Sequence, residues 1–228
     1  AVPVTADGGS AIGALVVALT GAADVLPAGR LMAGGALLAA AGNAAFALLA
    51  TDLTTALPLR ALSGAGIAAV YPVAMKVLSG WFRRDRGLAV GVLIGAITLG
   101  SATPHGLRAA GAVAGLEWQL IVLAASISGV LAAALAWWTV QDGPLSVPAA
   151  RLTWRMARSA LGQRSVLLAN LGYLGHMWEL YAMWTWVPVF LAASLALSGD
   201  VSATAASAVA FLVVAAGALR WVAGGALA

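Results

Sequence analysis

The charged residues of this chain are so widely spaced that the segments between them are long enough to cross a lipid bilayer. Two of these segments, 31–51 and 87–107, each contain 21 consecutive uncharged residues, and 118–140 contains 23. A helix needs about 20 apolar residues to cross a hydrocarbon core of roughly 30 Å. Only 9% of all residues are charged, which excludes a soluble enzyme, a nucleic-acid-binding protein and a disordered linker. The spacing therefore predicts an all-α, polytopic membrane protein embedded in a lipid bilayer.

Seven membrane spans are predicted from the positions of the charges. The first is expected to be clipped or shortened, because it contains only 13 apolar residues. The chain also begins without a methionine or a basic leader region, so we expect it to start partway through a longer protein. The predicted spans are 11–23, 31–51, 55–80, 87–107, 118–140, 166–191 and 201–219.

The basic residues predict the orientation of these spans. Alternating spans place eight basic residues near the ends on one side and only Arg108 on the other. Because loops rich in Lys and Arg stay in the cytoplasm, we expect the arginine-rich loops of a cell (plasma or inner) membrane protein to be cytoplasmic. The eight residues are Arg30, Arg83, Arg84, Arg86, Arg151, Arg155, Arg158 and Arg164.

Three short motifs follow one another along the predicted topology. The first is a loop, Gly21-Ala-Ala-Asp24-Val-Leu-Pro-Ala-Gly29-Arg30. The second, Arg60-Ala-Leu-Ser-Gly-Ala-Gly-Ile-Ala68, starts a span, and the third, Gly80-Trp-Phe-Arg-Arg-Asp-Arg-Gly87, is a short basic turn. Together they resemble the major facilitator superfamily of secondary transporters, in loop signature, helix pattern and position.

The resemblance implies a fold and a function. It implies an incomplete major-facilitator-type bundle that matches the family's second through eighth helices. Residues 1–140 would form an N-terminal half bundle lacking its first helix, 141–164 a central cytoplasmic loop, and 165–228 the first two helices of the C-terminal half. The function implied is transport of a small solute by alternating access, with proton coupling left open. We expect these 228 residues alone not to carry out uptake.

The resemblance also assigns roles to particular residues. It implies that Arg60 faces the translocation path. The alternative is that the side chain extends to the lipid headgroups, which would also avoid the cost of burying its charge in the bilayer. It implies that loop residues latch the inward side during conformational switching, although ordinary topogenic charge explains the loop charges equally well. The loop residues are Gly21, Asp24, Gly29, Arg30, Arg83 and Arg86.

Glu179 is the best candidate for substrate binding or proton exchange. An ionisable side chain inside a bilayer is costly unless it is paired or hydrated, and Glu179 lies deep within a predicted span. His176 precedes it by three residues and shares its helix face. The alternative is a buried Glu–His hydrogen bond that only orders the bundle. Further candidates are Tyr173, Tyr181 and Trp184 on the same span, and His105 beside Pro104 at a kinked or gating helix end.

Other classes of function are less well supported by the residues. No cysteine is present, and a third ligand for His176 and Glu179 is lacking, so no metal site is expected. No Walker-type or G-x-S-x-G motif occurs, and neither an enzyme activity nor a cofactor is expected. The alternatives left open are a seven-span membrane receptor or scaffold and an intramembrane hydrolase.

Overall fold

The computed structural model describes residues 2–146, 158–159, 162–197 and 203–227 of the chain. Over these residues the regular structure is helical, and no strand is present, which confirms the all-α prediction. The helices are α1 (Val2–Thr20), α2 (Ala22–Val25), α3 (Ala28–Leu49), α4 (Leu53–Ala68), α5 (Tyr71–Trp81), α6 (Arg86–Val113), α7 (Trp118–Thr139), α8 (Arg164–Leu197) and α9 (Ala203–Leu227).

The predicted number of spans agrees with the helix lengths. Six helical segments in the described part of the chain are long and apolar enough to cross a membrane, with α4 and α5 together forming one of them. The apolar part of α1, Gly8–Thr20, is shorter than a full span, as expected for the first segment. The chain is therefore a polytopic helical membrane protein.

One predicted span is divided into two helices. The stretch expected to run continuously from 55 to 80 breaks at Ala69 and Val70, between α4 and α5. Pro72 follows the break and has no N–H to donate to the preceding turn. The N–H groups of Ala69 and Val70 instead donate to the carbonyl groups three residues earlier, over 3.3 and 2.9 Å. The proline therefore explains why the helix tightens and restarts.

Three helices extend beyond the predicted span ends. α6 continues six residues past position 107, α8 runs through Pro188 and continues six residues past position 191, and α9 continues eight residues past position 219. The predicted spans estimate which residues lie in hydrocarbon, whereas backbone hydrogen bonding continues for as long as the chain favours a helix. The helix ends therefore lie beyond the predicted span ends.

Small residues bring the helices into close contact. α1 and α3 both pack on α4, α3 also packs on α7, and α6 has its most extensive contact with α9. A Cβ atom added at Gly91 of α6 would lie 2.5 Å from the carbonyl oxygen of Trp221 in α9. Such spacing is possible only for glycine, and close backbone approach is typical of helix pairs in membranes. Gly91, Gly95 and Gly66 lie at such close contacts, whereas Gly100 faces open space.

Candidate functional site

Arg60 lies on α4, close to the start of its span. Asp52 caps this helix by accepting a hydrogen bond from the N–H of Thr55 over 2.8 Å, while the Thr55 hydroxyl interacts with the N–H of Asp52. This reciprocal capping box satisfies N–H groups that the first turn leaves unpaired. It defines the start of α4 at Leu53, so that Arg60 is the eighth helical residue and points towards α3.

The Arg60 guanidinium group packs between polar and aromatic partners on α3. Its Nη1 donates to Oδ1 of Asn43 over 2.8 Å, and its Cζ lies 3.8 Å from the ring centroid of Phe46. A cation over an aromatic face is attracted by the ring quadrupole. The side chain is therefore held within the bundle by α3, rather than extended along the helix towards lipid headgroups.

The contacts of Arg60 continue onto α7. Asn43 Nδ2 donates to the Ser126 hydroxyl over 3.0 Å and to the carbonyl oxygen of Val122 over 3.2 Å. The Phe46 ring contacts the Trp118 ring, with centroids 5.9 Å apart. We call Arg60, Asn43, Phe46, Trp118 and Ser126 the arginine cluster. It connects three helices through one cation and one amide.

The electrostatics of the arginine cluster are unusual. The partner of Nη1 is a neutral amide rather than a carboxylate. Nε is buried and has no hydrogen-bond partner among the described residues. A half-buried cation with no counter-charge among the described residues is costly to keep out of water, and an orphaned N–H donor adds to that cost. The cluster is therefore suited to accept an anionic group or to respond to one nearby.

The sequence patterns did not single out Asn43, Phe46 and Ser126 of the arginine cluster. Asn43 and Ser126 are each buried or half-buried within apolar spans, and Phe46 lies on the same helix as Asn43. A lone amide in an apolar span is a recognisable signal, because polar side chains in membranes usually hydrogen-bond across helices. The sequence could thus have suggested Asn43, but not its pairing with Arg60.

The candidates on α8 lie apart from the arginine cluster. His176 and Glu179 are both exposed, so they do not form the buried pair considered as an alternative. Glu179 is the sixteenth of the 34 residues of α8, near the middle of the helix. α8 packs mainly on α9, which leaves a broad face of the helix uncovered by the described residues.

Aromatic side chains also lie on α8. Tyr181 and Trp184 contact each other edge to face, with centroids 5.5 Å apart, while Tyr173 is exposed. Trp184 Nε1 is buried and unpartnered within the described part of the chain. An indole N–H usually finds a partner when buried. The structure therefore brings Tyr181 and Trp184 together, and the indole N–H of Trp184 is a donor without a described partner.

His105 lies half-buried on α6. The helix runs continuously through Pro104 to Val113, although proline leaves the carbonyl of Gly100 without its usual donor. The nearby hydroxyls of Ser101 and Thr103 donate to the carbonyls of Ile97 and Leu99, over 3.0 and 2.8 Å. These two hydroxyls therefore bond to carbonyls other than the one that Pro104 frees.

The first loop motif packs against the end of α7. Gly21 ends α1 with a φ of 64°, a conformation that glycine adopts easily. Gly29 is buried, and a Cβ atom there would lie 2.8 Å from the carbonyl oxygen of Ala136. Arg30 places its cation 5.5 Å from the Trp137 ring centroid. The side chain of Asp24 lies outside what the structure describes.

The second loop motif is the turn between α5 and α6. Arg86 donates from Nε to the carbonyl of Phe82 over 2.8 Å and from Nη2 to that of Ser79 over 3.1 Å. Arg83 is exposed. Asp85 adopts a φ of 59° just before α6, a conformation that aspartate tolerates better than most residues. Arg86 therefore closes the turn through backbone carbonyls.

A segment after α7 connects these two loops, and the sequence patterns did not single it out. We call residues 141–146 the strap. Asp142 Oδ2 accepts a hydrogen bond from the N–H of Ala28 over 3.2 Å. Trp81 Nε1 donates to the carbonyl of Gln141 over 2.9 Å, and the N–H of Leu145 donates to that of Gly80 over 2.9 Å. The strap thus holds the ends of α3, α5 and α7 together.

A metal centre is not apparent among the described residues, which contain no group of three or more His, Cys, Asp or Glu side chains that could hold an ion. The polar features considered for function are the arginine cluster, the exposed side chains of His176 and Glu179 on α8, and the strap.

Comparison with known proteins identifies the family of the chain. No curated protein and no solved structure matches the chain. A model of the Major Facilitator Superfamily matches residues 5–227, which is nearly the whole sequence and includes the three motifs described above. This match agrees with the helical bundle and with the polar residues inside its spans. The chain belongs to the Major Facilitator Superfamily, whose members are generally membrane transporters of solutes.

Proposed function

We propose that the protein is a secondary transporter that moves a small solute by alternating access. The observation that carries this proposal is the family match over residues 5–227, together with the polar groups inside otherwise apolar helices. In this mechanism the solute binds near the middle of the membrane, between two half bundles. Residues 1–140 would belong to the first half and 165–228 to the second, with 141–164 as the central loop.

Arg60 is the group that we propose to respond to the charge of the solute. Within the described part of the chain, its Nε is buried without a partner and its Nη1 is bonded to a neutral amide. An incoming carboxylate or phosphate would supply the missing negative charge, and guanidinium groups bind such anions through paired hydrogen bonds. The proposed solute is therefore a small organic anion.

Glu179 and His176 are the groups that we propose to exchange protons. Both lie on one face of α8, near the middle of the helix, where an ionised side chain needs a partner, water or a proton. Tyr173, Tyr181 and Trp184 would border the path of the solute, and His105 would border its other side. A proton taken up at Glu179 would remove the cost of carrying its charge through the apolar phase.

The loops supply the proposed conformational latch. Arg30 and Gly29 lie against the end of α7, and Arg86 closes the α5–α6 turn. With Gly21, Asp24 and Arg83, these residues would hold one side of the bundle closed and release it during transport. The arginine-rich loops would lie in the cytoplasm of a plasma or inner membrane.

The test combines binding and flux. The purified chain is titrated with small carboxylates and phosphates, and cells that express the complete reading frame encoding it are assayed for uptake at several pH values. We expect Arg60→Gln to weaken anion binding on the order of tenfold or more, and Glu179→Gln to abolish the pH dependence of uptake. Arg108→Gln and Glu117→Gln are matched controls, because both residues are exposed and lie close to the α6–α7 connection.

The controls distinguish function from structure. If Arg60 only holds α3 and α4 together, Arg60→Gln will lower thermal stability without changing the preference for anions over neutral solutes. Normal uptake by Glu179→Gln with an unchanged pH profile would contradict proton exchange at α8. Failure of both variants to change transport would remove the proposed site.

A further inference from the structure

Two cavities flank the start of α6 at the end of the bundle where the α5–α6 turn lies. The first has a volume of about 220 Å³ and the second about 420 Å³. Arg86 and Val90 line both cavities, so the two spaces meet at the first turns of α6. The first cavity is also lined by Met75, Lys76, Leu78 and Ser79, and the second by Gly91, Ile94, Trp221 and Gly224.

The two cavities combine apolar walls with positive charge at one end. Apart from Lys76, Ser79 and Arg86, the lining side chains are apolar or glycine. The segment from 76 to 86 carries four basic residues and a single acid, Asp85. A cavity of this kind matches a ligand that has an anionic head and a hydrocarbon tail.

The position of Arg86 is maintained by the backbone. Its Nε and Nη2 donate to the carbonyls of Phe82 and Ser79, and these bonds hold the guanidinium group beside both cavities. The side chain is exposed, and its charge is therefore available to an anion that approaches along the membrane surface. Lys76 lines the first cavity from the neighbouring helix.

The second cavity is open because α9 carries a glycine there. A Cβ atom added at Gly224 would meet no heavy atom within 4 Å, whereas one added at Gly225 would collide with the backbone of Gly87. Gly225 therefore brings the helices together, and Gly224 leaves space beside the contact. Trp221 forms part of the same wall, and indole rings favour the interface between hydrocarbon and headgroups.

We propose that these two cavities form a binding site for an anionic phospholipid of the bilayer leaflet at this end of the bundle. The lipid phosphate binds Arg86 and Lys76, and the acyl chains occupy the apolar spaces on either side of α6. The charge of the segment selects anionic over zwitterionic headgroups, because each basic residue near a membrane surface adds to the attraction. The site is separate from the arginine cluster and does not depend on what the protein transports.

The test uses the purified chain in detergent, with bound lipid measured by native mass spectrometry. Phosphatidylglycerol and phosphatidylcholine are compared at equal concentration, and inorganic phosphate is added in a separate series. We expect phosphatidylglycerol to be retained preferentially, and Arg86→Gln to weaken its binding about fivefold. Arg108→Gln, which removes the same charge from the other end of α6, should leave the binding unchanged.

A second pair of variants tests the acyl-chain cavity without altering charge. Gly224→Leu fills the space beside α9 and should reduce phosphatidylglycerol binding, whereas Gly100→Leu, also in open space, should not. Equal retention of the two lipids, or a preference that Arg86→Gln or Gly224→Leu leaves intact, would overturn the proposal. Displacement of the lipid by millimolar inorganic phosphate would also overturn it, since the site would then bind the anion alone.

Discussion

The carboxylate of Asp142 accepts a hydrogen bond from the backbone N–H of Ala28, a residue 114 positions earlier in the chain. Ala28 is the first residue of α3, and its N–H belongs to the group that a helix cannot satisfy internally. Pro27, at the N-cap position, supplies no side-chain cap. A distant carboxylate therefore performs the capping that the local sequence does not provide.

Removal of this cap should destabilise the end of the bundle that contains the strap. We expect Asp142→Ala to lower the free energy of unfolding by about 1 kcal/mol and to speed hydrogen exchange at the start of α3. The measurement is thermal unfolding in detergent combined with hydrogen exchange. Glu117→Ala is the control, because Glu117 precedes α7 but makes no side-chain capping bond. Equal exchange rates at α3 in wild type and Asp142→Ala would contradict this prediction.

Two glycines on α6 should respond to alanine in opposite directions. At Gly91 the new methyl group would lie 2.5 Å from the carbonyl oxygen of Trp221 and 3.1 Å from Cα of Gly225, so we expect a loss of about 1–3 kcal/mol. At Gly100 no heavy atom lies within 4 Å of the added Cβ. The higher helix propensity of alanine should therefore stabilise the folded protein by about 0.5–1 kcal/mol. The thermal unfolding of both variants measures these changes. Two shifts of the same sign would contradict the prediction that Gly91 lies in the α6–α9 contact and Gly100 outside it.

Asn43 should be coupled energetically to Arg60. Asn43→Leu removes the acceptor of the Arg60 Nη1 hydrogen bond and the donor to Ser126, and we expect a loss of about 1–3 kcal/mol because a charged partner is left unsatisfied. In the double variant with Arg60→Met, the loss should be smaller than the sum of the single losses, by about 1 kcal/mol. Asn170→Leu is the matched control, since that exposed amide bonds only to Val166 of its own helix. Strict additivity would show that the two residues act independently.

The start of α4 should loosen in acid. The N–H of Thr55, followed by the hydroxyls of Thr54 and Thr55, holds the pKa of Asp52 below its ordinary value of 3.8. Since the folded-state pKa is the lower one, the contribution of this carboxylate is present above about pH 4 and is lost as the pH falls through the folded-state pKa. The protection of the Thr55 N–H from hydrogen exchange, measured against its intrinsic exchange rate at each pH, should therefore fall in this range.

Asp52→Asn provides the control for the acid response. Asparagine is also a good N-cap residue, but it does not titrate, so the protection of the Thr55 N–H should lose its dependence on pH while the cap is retained. If wild type and Asp52→Asn loosen together as the pH falls, another group is responsible.

The bundle could be predicted from the sequence because the signal for it is local. The charges that bound 31–51 or 118–140 are read directly along the chain, and the helices observed there, α3 and α7, start within three residues of those limits. The break before Pro72 was missed because apolar length carries no information about a missing N–H. Proline in a span is tolerated in many helices, so its presence alone did not predict the division.

The arginine cluster and the strap could be predicted only in part. Arg60 was recognised because a charge in a span requires an explanation, but its partners lie on two other helices. Asp142 was not singled out, since an acid in a loop is ordinary and its role depends on the position of Ala28 in space. Glu179 was recognised by the same argument as Arg60, and its proton exchange during transport is still a prediction.

Near the start of α6, the contact with α9 consists largely of backbone, because Gly87, Gly91 and Gly225 leave no side chains to interlock there. Two surfaces of that kind can slide or tilt against each other without exchanging rotamers, so that relative motion changes contact area but crosses no barrier from interdigitated side chains. The glycines that allow this close approach thus also leave this end of the contact smooth.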